Sequence, residues 1–133
     1  MKKINFKNLD LDLFYEKLDN GLEIFVLPKT NVNNIYVTFN TKYGSNISEF
    51  KPIDKDKMMK VPLGIAHFLE HKMFEQEDGS DIFSFYSERG ADCNANTNYT
   101  KTTYLFSCPN FFKENMDMLL DYVQSPYFTD ENV

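Results

Sequence analysis

Apolar and polar positions alternate with period two over the first forty residues, then shift to a helical period. The run "LFYEKLDNGLEIFVLP" sets Asn20-Gly21 between two apolar-rich stretches. That pattern predicts a β-hairpin with a type I′ turn, which needs φ > 0 at both central residues. Pro28 closes its second strand. In "NIYVTFNTKYGS", Ile35, Val37 and Phe39 point one way and Tyr36, Thr38 and Asn40 the other, predicting a third strand. Residues 44–60 read as a polar loop with a charged tip.

A helix is expected from near Pro62, with Ile65, Phe68, Leu69 and Met73 as its apolar stripe. After a break at "DGS", the stretch "DIFSFYSER" predicts a short second helix that Gly90 stops. Two strands follow, "DCNANTN" and "TTYLFSC". The last clear helix is "NFFKENMDMLLDYVQ", with Asn110 as its N-cap. Its period is set by Phe112, Met116, Leu119, Leu120 and Val123, and Pro126 ends it. The final "TDENV" reads as the opening of another helix, capped by Thr129 with Asp130 and Glu131 at the positive end of its dipole. Five residues cannot hold a helix, so the chain is expected to be a fragment or to end in disorder. The pattern gives an α+β fold: a mostly antiparallel sheet with helices on one face.

Composition narrows the partners. Twenty acidic residues against 14 basic give a net charge of -6, which argues against a nucleic acid and gives no support for an anionic membrane. No apolar run approaches the roughly 20 residues of a membrane span. The opening "MKKINFKNLDLDLF" lacks the apolar core of a signal peptide. Cys93 and Cys108 are too few for a disulfide framework. They lie on adjacent expected strands, no bond is predicted, and a cytoplasmic protein is expected.

The chemistry concentrates in "GIAHFLEHKMFE", which holds both histidines of the chain. On a helix His67 and His71 lie about 40° apart in azimuth and about 6 Å apart along the axis, so both imidazoles reach one metal ion. Glu70 sits about 60° from His67, placed to take a proton from a water without binding the metal. Neutral imidazoles that hold zinc beside a proton-accepting carboxylate make a zinc hydrolase. Taken alone, a His-x-x-x-His pair is more often a surface feature. Here the pair lies off the apolar stripe, and His-x-x-Glu-His is the inverted zinc-peptidase motif, expected by chance in roughly under one per cent of chains this short.

These residues resemble the pitrilysin/insulinase family of zinc peptidases, the inverzincins. "LDNGLEIFVLP", "YGS", "GIAHFLEHKMFE", "ERGADCNANTNYTKTTYLF" and "MLLDYVQSPYFTDENV" follow the order of the family's N-terminal domain, over nearly the whole chain. The long polar loop is most similar to a bacterial, cytoplasmic branch. The resemblance implies that residues 1–133 are the N-terminal portion of one larger peptidase domain. It implies that His67 and His71 bind Zn2+, that Glu70 is the general base, and that Asn94 and Ala95 hold the substrate backbone as an added strand. Without it, Asn94 and Ala95 read as an ordinary strand.

The family's third ligand, a Glu about 70 to 80 residues after the second His, would fall beyond Val133. Glu75 and Asp92 are weaker substitutes. The resemblance therefore implies a peptide or small unfolded polypeptide as substrate. It also implies a missing C-terminal half, of the same protein or a related subunit, and a fragment inactive by itself. Apolar surface left uncovered would favour association between copies. The competing reading is a non-catalytic partner subunit or binding module with the peptidase fold.

Overall fold

The computed structural model describes residues 1–131. The chain forms two compact units, Met1–Asn33 and Asn34–Val133. The fold is α+β and every strand pairing is antiparallel, as expected, but the strands lie in three sheets.

The first unit is a three-stranded meander of β1 (Lys2–Phe6), β2 (Leu11–Lys17) and β3 (Glu23–Val26). The β2–β3 hairpin forms where Asn20-Gly21 predicts it, but not with a type I′ turn. Gly21 alone takes the left-handed region, at φ 90°, while Asn20 does not. The Gly21 amide donates to the Leu18 carbonyl (2.9 Å) and the Leu18 amide to the Leu22 carbonyl (2.9 Å). This is a three-residue loop, a turn followed by a left-handed glycine. The Asn20 side chain accepts from the Leu22 amide at 3.0 Å, a local bond that competes with the left-handed conformation I′ requires. Strand β1, for which no expectation was drawn, pairs with β2 from Lys2↔Tyr15 to Phe6↔Leu11.

The second unit is built on β4 (Ile35–Thr41), β7 (Asp92–Thr97) and β8 (Thr102–Cys108), in the order β4-β8-β7. The loop expected over 44–60 also holds two short paired strands, β5 (Glu49–Phe50) and β6 (Met59–Lys60). Strand β8 is central and largely buried, and β7 is an edge. Register stacks side chains in rows: Val37, Phe106 and Cys93, then Phe39, Tyr104 and Ala95, then Thr41, Thr102 and Thr97. The first two rows belong to the core, which also takes Ile82, Tyr86, Leu119 and Tyr122 from the helices. The helices therefore gather on one face of this sheet.

Those helices are α1 (Ile65–Lys72), α2 (Ile82–Ser87) and α3 (Phe112–Tyr122). Helix α1 begins three residues after Pro62 because Gly64, at φ 93°, is left-handed and cannot continue a helix backwards. Its buried positions are Ala66, Glu70 and Lys72, with Leu69 and Met73 partly buried; Phe68, expected inside, is exposed. Helix α2 is capped by Asp81, whose carboxylate accepts from the Phe83 and Ser84 amides. Gly90 follows it at φ 65°. Helix α3 is entered through a left-handed Phe111 (φ 54°) and not capped by Asn110; the Asn110 carbonyl instead accepts from the Asn115 side chain. The buried face of α3 is Asn115, Leu119 and Tyr122, and Phe112 is exposed. The Tyr86 hydroxyl donates to the Asn115 carbonyl at 2.9 Å, tying α2 to α3. Of the helix expected at "TDENV", residues 130–131 form a turn, and Asn132 and Val133 lie outside the described residues.

One close approach fixes the sheet end. A Cβ on Gly44 would lie 2.5 Å from the Asn98 carbonyl oxygen and from the Thr100 and Lys101 amide nitrogens. All three are backbone, so nothing flexible can yield. Gly44→Ala should cost about 2–3 kcal/mol, read as a lower urea midpoint at unchanged slope. An unmoved midpoint would show that the 98–101 turn shifts freely.

Candidate metal centre

Helix α1 carries two exposed imidazoles and one buried carboxylate. His67 and His71 are exposed, one turn apart. Their Nε2 atoms stand 3.1 Å from each other, with ring centroids 4.8 Å apart. Two nitrogens on one tetrahedral zinc, each about 2.0–2.1 Å from it, are separated by roughly 3.3 Å. At this distance the two rings share a hydrogen bond whose direction follows the tautomer, and the same convergence suits common ligation of one ion. Both nitrogens are lone-pair donors once deprotonated, and imidazole suits zinc, so these two residues fit the metal.

Glu70, about 60° around the helix from His67, is turned inward and only 8% exposed. The Thr97 hydroxyl on β7 donates to its Oε2 at 2.5 Å. Thr97 Oγ1 is 3.2 Å from Thr102 Oγ1, and Thr102 donates to the Tyr43 carbonyl at 2.9 Å. The carboxylate expected to reach out toward water is therefore also anchored inward. Tyr104 lies in the neighbouring row. Burial, with the Glu70 charge as a secondary cause, pushes its hydroxyl up to about 12, so it stays neutral.

Asn94 and Ala95 occupy the middle of β7, on the free edge of the sheet. The Asn94 side chain accepts from the Ala95 amide at 2.8 Å. An incoming strand would compete for that amide. Cys93 pairs with Phe106 and Cys108 with Ile35, so they are not directly opposite, and both thiols are free. Burial pushes the Cys93 thiol up to about 11, with Asp81 and Asp92 adding to it; an inert thiol follows.

Among the described residues no third His, Cys, Asp or Glu joins a metal-holding group with the pair. Glu75 is engaged by Lys72 in an ion pair of 2.5 Å, and Asp92 stands opposite Ser107 at the start of β7.

Residues 60–133 match the family model described as Insulinase (Peptidase family M16). The chain belongs to the insulinase family, M16. Over its whole length the chain is similar to "Uncharacterized zinc protease YmfH" of Bacillus subtilis (strain 168), 48% identical over 133 residues. The chain spans 31% of the length of that relative. In structure it is similar to an M16-like protein from Alicyclobacillus acidocaldarius, with a TM-score of 0.86 and 36% identity over 97% of this chain and 30% of the other. The periplasmic protease PqqL from Escherichia coli matches with a TM-score of 0.69 and 26% identity, over 90% of this chain and 14% of that one.

Sequence reasoning overlooked Thr97, Thr102 and the Tyr43 carbonyl. The signal was available in β7: positions 93, 95 and 97 share a face, and the third breaks from small, partly buried residues to a hydroxyl.

Proposed function

We propose that this chain carries the metal-binding and base-bearing part of a zinc-dependent peptidase acting on peptides or small unfolded polypeptides. The observation that carries the reading is the 3.1 Å convergence of the His67 and His71 Nε2 atoms on the helix that also holds Glu70. His67 and His71 hold the ion through Nε2. Bound zinc supplies Lewis acidity, polarising oxygen ligands and lowering the pKa of water toward neutrality. Glu70 takes a proton at Oε1, since Oε2 is engaged by Thr97, and returns it to the leaving amine. The free edge of β7 receives the peptide backbone as an added strand, with Asn94 and Ala95 as its contacts.

The third ligand is proposed to come from outside these 133 residues, through the remainder of the same protein or a related subunit. Both the lack of a third ligand grouped with the pair among the described residues and the 31% coverage of YmfH support this. The 133-residue chain alone is then inactive, with uncovered apolar surface that favours self-association. No nucleic acid or membrane takes part, and a cytoplasmic location is supported by the two free thiols.

The test is metal removal from the full-length protein. Chelation should reduce cleavage of an unstructured peptide to background, and zinc should restore it. Cleavage indifferent to the chelator would overturn the reading.

A further inference from the structure

We propose that Thr97 is the positioning residue of the Glu70 carboxylate, an inference that rests on the peptidase reading above. The argument is a count of protons. A threonine hydroxyl has one proton to donate, and an ionised carboxylate or a carbonyl only accepts. Thr102 gives its proton to the Tyr43 carbonyl at 2.9 Å. Thr97 gives its own to Glu70 Oε2 at 2.5 Å, within the short range of hydroxyl–carboxylate bonds. The contact between the two hydroxyls is then left without a proton, in keeping with its greater length of 3.2 Å. Each donor direction is fixed, and only one arrangement satisfies every partner.

The sheet fixes where that donor stands. Thr97 is the last residue of β7 and pairs with Thr102, which pairs with Thr41. This row of three threonines shares the helix-facing side with the apolar rows of the core, and it occurs where Glu70 is buried. Thr102 itself is 2% exposed, and the adjoining turn is locked by the close approach of Gly44. A rigid strand end thus presents one hydroxyl to one carboxylate oxygen, which leaves Oε1 for the reaction. Asn94 and Ala95 lie on the same strand, three and two residues before Thr97, so the element proposed to seat the peptide also aims the base.

The test compares Thr97→Val, which keeps the shape and removes the hydroxyl, with Thr97→Ser, which keeps the hydroxyl, in the full-length protein. Thr97→Val should lower kcat for peptide cleavage by about 10- to 100-fold, with KM within about twofold and zinc content unchanged. Thr97→Ser should retain most of the rate. In a Glu70→Gln background, Thr97→Val should add nothing. The proposal is overturned if Thr97→Val keeps the wild-type kcat, if the serine variant falls as far as valine, or if valine depresses the residual rate without Glu70. A protein in which Glu70→Gln itself keeps full activity would overturn the peptidase reading, and this inference with it. A fully active serine variant beside an impaired valine variant would support both.

Discussion

Glu70→Gln in the full-length protein is expected to lower kcat for peptide hydrolysis by about 10²- to 10⁴-fold, the usual contribution of a positioned general base. Zinc should remain bound. The amide has the same shape as the carboxylate and can still accept from Thr97, so the surroundings of a residue only 8% exposed are conserved. What it loses is an oxygen that can take and return a proton. Because the change is confined to that capacity, KM and thermal midpoint should move little. Retention of a large share of activity would remove Glu70 from the chemistry.

His67→Ala and His71→Ala should each lose zinc and activity together. Their Nε2 atoms are 3.1 Å apart, close enough for one ion to take both as ligands. Both rings are exposed on a two-turn helix, so truncation opens no cavity and the fold should survive. With one imidazole gone, the remaining donors cannot close a stable site. Zinc affinity should fall by more than the roughly 10- to 100-fold that loss of an outer-shell partner costs. A folded variant without metal separates this loss from mere unfolding.

The sequence made some of this legible and hid the rest for physical reasons. Alternation located β4, β7 and β8 because a sheet with one face on a core repeats every two residues. The β2–β3 hairpin was visible in Asn20-Gly21, but its turn type was not, since a single side-chain bond from Asn20 decides it. The stripe read on α1 chose Phe68 and missed Glu70 and Lys72, because hydrophobic period cannot see a charge that is buried with a partner. Glu70 finds its partner across 27 residues, in Thr97. The start of α3 was misplaced for a related reason: Phe111 takes a left-handed conformation uncommon for a bulky residue. Of the site, the histidine spacing was readable at once, since it is local to one helix. The anchoring of the carboxylate was not, because it depends on which strand the helix packs against.

The central claim is that His67 and His71 together hold one zinc ion that Glu70 does not ligate. The most direct measurement is the zinc content of full-length wild type, Glu70→Gln, His67→Ala and His71→Ala, each dialysed identically against trace zinc. The account predicts about one zinc per chain for the first two and a near-complete loss for both alanine variants. Zinc retained at full stoichiometry by the alanine variants, or less than about half an equivalent in the wild type, would contradict it.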